Sequence, residues 1–161
     1  MSYVVPGMTL IPQTKKMACW YASAQMLITW RREHTRSCEV GIIDPSEDAG
    51  SGDMWSKDTG ISDSQIIAFA KRLGLKVVPP VTPSLDTLEG WLRDYGPLWV
   101  NGKTHIVVIA GIAGEAVLVY DPGPVNVGHV DWRSWSNWYE FGTSVSSRDT
   151  NTNAGVFLYV P

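Results

Sequence analysis

The sequence predicts an α+β fold in which a helical N-terminal half packs on a C-terminal antiparallel β-sheet. Two observations carry this. Before Pro97 the apolar residues recur with helical spacing, first in ACWYASAQMLI (18–28) and then in two further segments. From Pro97 onward the pattern becomes that of strands, in PLWV, HIVVIAGI, AVLVYD and VFLYV. A length of 161 residues, 44% hydrophobic and 18% charged, fits one domain spanning 1–161 that buries a sizeable core.

The first helix is expected over Ala18 to Ile28, apolar nearly all round and free of Gly and Pro, as a buried central helix should be. Residues Gly41 to Gly60 are rich in Asp, Gly and Ser and read as a long surface loop anchored by Met54 and Trp55. A second helix is expected over Ser62 to Leu73. Ser62 and Gln65 have capping-box spacing, Ile66, Phe69, Ala70 and Leu73 form an apolar stripe, and Gly74 ends it. A third runs from Ser84 to Tyr95, with Leu85, Leu88, Trp91 and Leu92 on one face and Gly96-Pro97 as the stop. In the sheet half, Ile106 to Ala110 has no polar alternation, so that strand should be buried on both faces. A turn near Gly114 joins it to the next strand as a hairpin, and Val130 to Gly142 reads as a strand running into a short helix.

Several function classes are excluded by composition. A net charge of −3, with no basic cluster beyond Lys15-Lys16 or Arg31-Arg32, gives no footprint for nucleic acid. No run of eighteen apolar residues suggests a membrane partner, and MSYVVPGMTL is not a basic segment followed by a long apolar one, so no conventional export signal is expected. His34 and Cys38 have H-x3-C spacing, but two more ligands are not evident, so neither a metal nor any other cofactor is expected. A Cys19–Cys38 disulfide is not needed by a core of this size and is not expected either. The acidic residues Asp44, Glu47, Asp48, Asp53 and Asp58 read as a solvated surface, or more sharply as a cleft rim that favours basic substrate segments.

The chemistry concentrates in QTKKMACWYAS (13–23). Cys19 stands at the mouth of the first helix, where the partial positive charge of a helix N-terminus favours a thiolate. A thiolate needs a base that becomes its imidazolium partner, and His105, opening the buried strand, is the candidate; His129, with Asp131 beside it, is the rival. Asp121 closes the following strand and could orient the imidazole, although Asp-Pro-Gly also initiates turns. With a loop of Ile112-Ala113-Gly114, His105 would stand directly opposite Asp121, their Cβ atoms about 4.5–5.5 Å apart. Gln13 and the Cys19 backbone N–H are the candidate donors to an oxyanion. Trp20 and Trp55 are candidate substrate-binding aromatics, with Trp20 expected to pack beneath the site.

These residues resemble the papain-like cysteine peptidases, in which a glutamine, five residues and then Cys-Trp open the central helix. Here the signature reads Gln13-x5-Cys19-Trp20, followed by Ala22-Ser23, and the family order Gln, Cys, His, Asn/Asp becomes Gln13, Cys19, His105, Asp121. KMACW replaces Cys-Gly-x-Cys-Trp, and an aspartate stands where plant and lysosomal members have asparagine. The chain is similar to compact bacterial members: peptidase domains of bacteriocin-exporting transporters, and effector proteases delivered into other cells. The resemblance implies a central catalytic helix on the sheet and a Cys-His-Asp endopeptidase acting on protein substrates. It further implies a bacterial effector or toxin, delivered by a specialised secretion system without an N-terminal signal peptide, acting in the target-cell cytoplasm and countered by a cognate immunity protein. The same residues can run deamidation or acyl transfer, and a catalytically silent binding module presenting Trp132 to Tyr139 is the alternative of a different class.

Overall fold

The computed structural model describes residues 2–34, 41–78, 83–101, 105–137 and 157–161; among these are four α-helices and seven β-strands. The first helix, α1, spans Cys19–His34. Its apolar first half is buried, and it continues past Ile28 because Thr29 to His34 contain no breaker and place Arg31, Arg32 and His34 at the C-terminal end of the helix dipole.

Residues 41–60 are not the expected loop. A 3-10 turn at Pro45–Glu47 leads into a helix, α2, at Ala49–Ser56. Its sequence, AGSGDMWS, has poor intrinsic propensity, and the helix is held by contacts instead. The Asp48 carboxylate accepts from Ser51 N (3.1 Å) and Ser51 Oγ, and from Arg72 Nε at 2.9 Å. The helix carrying Arg72, α3, spans Asp63–Leu73, with Gln65 Oε1 accepting from Ser62 N at 2.8 Å and Gly74 ending it at φ +79°. Helix α4 spans Leu85–Tyr95, capped by Ser84 and ended by Gly96. Among the described helices none is long and apolar enough to cross a membrane.

The sheet is antiparallel throughout and runs β2 (Lys76–Val78), β7 (Phe157–Tyr159), β3 (Leu98–Asn101), β4 (Ile106–Ala113), β5 (Ala116–Asp121), β6 (His129–Ser134), while β1 (Ser2–Val4) pairs with the far end of β4. Side chains alternate between two cores. Leu98, Val100, Val107 and Ile109 pack with Leu88 and Leu92 of α4; Trp99, Ile106 and Val108 pack with α1 and α3. Helices on both faces explain why β4 is apolar at every position. Hydrogen bonds lock α1 onto the sheet, among them Trp99 Nε1 donating to Trp20 O (3.1 Å) and Ser23 Oγ to Ile106 O (3.3 Å).

The hairpin register differs from the sequence expectation. Ala113 pairs with Ala116, so the turn is the two-residue Gly114-Glu115, with Gly114 at φ +58°, as a glycine-first hairpin turn requires. A bulge between Ile109 and Gly111 then inserts an extra residue into β4, after which Val108 faces Tyr120. Continued by one pair, this register sets Val107 against Asp121. His105 therefore lies just beyond the strand and meets Asp121 through its side chain, not as a directly opposed pair.

Candidate active site

Cys19 is the first residue of α1, half-buried at a position where backbone N–H groups have no partner within the helix. Its approach is bolted to the segment after α2: Met17 N donates to Asp58 Oδ1 (2.9 Å), and Trp20 Nε1 to Thr59 O (3.0 Å). From the sheet side, Ile106 N donates to Cys19 Sγ at 3.4 Å. Cys19 and His105 share a cleft of about 320 Å³, walled by Lys16, Met17, Gly60, Ile61, Asp63 and Asn101.

His105 is fixed from both ends of its ring. Nε2 lies 2.5 Å from Asp121 Oδ1, which leaves Nδ1 for the hydrogen bond with Cys19. The hydrogen bond to Asp121, then that to Cys19, outweigh burial and raise the imidazole from 6.5 to about 9, so the ring is cationic at neutral pH. Asp121 is 7% exposed. Burial pushes its carboxyl upward, but hydrogen bonds from His105, Arg133 and Gly123 N hold it down at about 2. Gly123 N donates to Asp121 Oδ1 at 2.9 Å, so the Asp-Pro-Gly turn and the contact with His105 use the same side chain.

A family model for the papain-like cysteine protease AvrRpt2 matches residues 3–138. The chain belongs to the papain-like cysteine protease AvrRpt2 family. It is thus a papain-like cysteine protease, with the α+β architecture of that class. A comparison with curated proteins finds no match. Among solved structures, it is similar to a double glycine motif protease from an AMS/PCAT transporter in complex with the leader peptide, at 16% identity and a TM-score of 0.49, covering 97% of this chain and 92% of that one.

In this member of the AvrRpt2 family the other expected site residues are distributed unevenly. Gln13 is buried near His105 and Asp121, but its Nε2 donates to Lys15 O (3.0 Å) and Lys16 O (2.9 Å), while its Oε1 is buried without a partner. Both amide protons thus brace the loop leading into α1 and neither points to the cleft. Trp20 is 0% exposed, forms an edge-to-face pair with Phe69 and backs the wall of the cleft, so it packs beneath the site as expected. Trp55 stacks on Tyr21 (5.7 Å) under Lys15 Nζ (4.2 Å) and does not line the cleft.

Of the two expectations for the acidic segment, the sharper one, a cleft rim, is not met. Asp44 and Asp48 cap helices, Glu47 pairs with Arg32, Asp53 with Lys57, and Asp58 holds the Met17 N–H. Cys38 lies outside the described residues, as do Trp138 and Tyr139, so the H-x3-C pair, the Cys19–Cys38 disulfide and the far end of the aromatic segment fall there too.

Two contributors escaped the sequence reading. The Ile106 N–H is a backbone group and carries no residue-type signal. Arg133 was legible in principle, because His129, Asp131 and Arg133 alternate along β6, and β6 pairs with the strand that Asp121 closes.

Proposed function

We propose that the chain is an endopeptidase in which Cys19 is the nucleophile, His105 the acid and base, and Asp121 the group that orients His105. The observation that carries this reading is the sulfur of Cys19, at the start of α1, held between the Ile106 N–H and an imidazole backed by a buried carboxylate. The thiolate is the nucleophilic form of a cysteine, and a cationic ring beside the sulfur is its counter-ion in the reaction.

The thiolate attacks the scissile carbonyl carbon and forms a tetrahedral oxyanion. The Cys19 backbone N–H, one of the free donors at the helix start, faces that oxygen. Gln13 Nε2 is the second donor and exchanges one of its two loop carbonyls for the oxyanion. His105 passes its proton to the leaving amine, the C–N bond breaks, and a thioester remains. His105 then takes a proton from water, the resulting hydroxide attacks the thioester, and the Cys19 thiolate leaves beside the reprotonated imidazole. The chemistry takes every proton from these side chains and from water, with no added group.

Membership of the AvrRpt2 family supports a finer reading: a bacterial effector or toxin, exported by a specialised system, that cleaves a protein in the cytoplasm of a target cell. A cognate immunity protein would block it by covering the cleft that holds Cys19 and His105. Intact-mass analysis after treatment with an epoxide thiol inhibitor tests the chemistry. The expected result is single, rapid labelling at Cys19 well below pH 8, abolished by Cys19→Ala and lost in His105→Ala; slow labelling insensitive to His105 would reject it. Mass spectrometry of a treated target-cell lysate tests the reaction: new peptide termini indicate cleavage, and glutamine mass shifts without new termini would indicate a deamidase instead.

A further inference from the structure

Behind the triad, on the face of Asp121 away from Cys19, three residues of β6 gather. His129, Asp131 and Arg133 stand on one side of that strand, and His129 is directly paired with Asp121. Arg133 Nη2 donates to Asp121 Oδ2 at 2.8 Å, and its Nε lies 3.2 Å from both oxygens of Asp131. The guanidinium therefore spans two carboxylates, with its side chain 18% exposed. Its Nη2 also lies 3.2 Å from His129 Nε2, while His129 Nδ1 is 2.8 Å from Gly123 O.

A carboxylate on a single-bond swivel presents either oxygen, or neither, to a partner. Here both oxygens of Asp121 are assigned. Oδ1 faces His105 Nε2 and the Gly123 N–H, and Oδ2 faces Arg133. Exposed ion pairs hold geometry poorly, but this pair is largely withdrawn from water and uses the rigid planar fork that suits carboxylates. We propose that Arg133 is a positioning residue for the peptidase, locking the Asp121 carboxylate so that Oδ1 stays directed at His105. This rests on the Cys19–His105–Asp121 reading above.

The charged and titratable groups around Asp121 make the proposal testable by sign. They are His105 before β4 and His129, Asp131 and Arg133 on β6. A cation that acted only through its field would weaken the pull of Asp121 on the imidazolium, and its removal would raise the pH at which His105 loses its proton. A cation that acts by positioning does the reverse, because without it the carboxylate turns away.

The experiment follows the His105 ring by 15N NMR titration in wild type, Arg133→Gln, Arg133→Lys and Asp131→Asn, with thermal unfolding of each variant and inhibitor labelling of Cys19 at pH 6. In Arg133→Gln the midpoint is expected to fall by about one unit or more, a tenfold loss of proton affinity, and labelling is expected to slow about tenfold. Arg133→Lys keeps the charge but loses the planar fork that spans Asp121 and Asp131, so it should recover only part of both. Asp131→Asn removes an anion as well as a tether, so its midpoint falls in either case; Arg133→Lys, which keeps the charge, carries the test if Arg133→Gln does not fold, and a midpoint there equal to that of wild type overturns the positioning role. An unchanged or raised midpoint in the folded variant overturns the positioning role. Wild-type labelling that ignores His105→Ala overturns the peptidase reading instead, whatever the titration shows.

Discussion

His105 Nε2 stands 2.5 Å from Asp121 Oδ1, and the two residues share that contact across a hairpin whose register does not pair them. The aspartate supplies charge as well as direction. In Asp121→Asn the amide oxygen can still accept from the ring, but the charge that stabilises the imidazolium is gone. The alkaline limb of kcat/KM is therefore expected to move from near pH 9 toward neutrality. Asp121→Ala, which removes the acceptor too, should cost about 100-fold even at pH 6. A pH profile of both variants on one substrate checks this, and coincident alkaline limbs for wild type and Asp121→Asn would rule out the electrostatic role.

The same pair fixes how stability responds to pH. The imidazole of His105 binds its proton more tightly folded than unfolded, so its contribution is fully present below about pH 6.5 and is lost as pH rises through about 9. The carboxyl of Asp121 binds its proton less tightly folded, so its contribution is present above about pH 4 and is lost as pH falls through about 2. Denaturant midpoints should form a plateau between those limits, and the alkaline decline should flatten in His105→Ala. Equal alkaline slopes for wild type and His105→Ala would show that other groups control it.

Gln13 separates a catalytic donor from a loop brace. As the second oxyanion donor, its replacement by alanine should lower kcat about 100-fold or more with little change in KM. As a brace alone, bonded to Lys15 O and Lys16 O, its loss should reduce the melting temperature and leave kcat within a few-fold once the protein is folded. The split between kcat and Tm decides, and we expect the loss in kcat.

Asp48 lies outside the cleft, so its replacement probes stability alone. Asp48→Ala removes the cap of α2 and the bond from Arg72, and is expected to destabilise the protein by about 1–2 kcal/mol with kcat/KM unchanged. Chemical denaturation and a peptidase assay side by side check this. A large loss of activity would show that α2 reaches the cleft through the Asp58–Met17 contact.

What the sequence made legible follows from the range of each interaction. Helices α1, α3 and α4 announce themselves through apolar stripes and caps such as Ser62, Gln65 and Ser84, which are local signals. Helix α2 is invisible because its support comes from Arg72 on another helix, and β1 and β2, three residues each, exist only through their partners. The bulge near Ala110 is marked only by Gly111 in the otherwise apolar run IVVIAGIA, so arithmetic across the hairpin found the right neighbours by the wrong register. The proximity of Cys19, His105 and Asp121 could be anticipated from residue type and order. The bonds of Gln13 and the clamp formed by Arg133 could not, since both depend on how loops and a neighbouring strand settle.

The hydrogen bond from Ile106 N to Cys19 Sγ closes 87 positions of chain. Contacts of such long sequence separation form late, after the entropy of closing the intervening loop has been overcome. In an unfolded or chaperone-held chain Cys19 therefore lies apart from His105, and the two meet only when α1 docks on the strand that His105 precedes. A polypeptide moved across a barrier in extended form would travel without the capacity to cut its carrier.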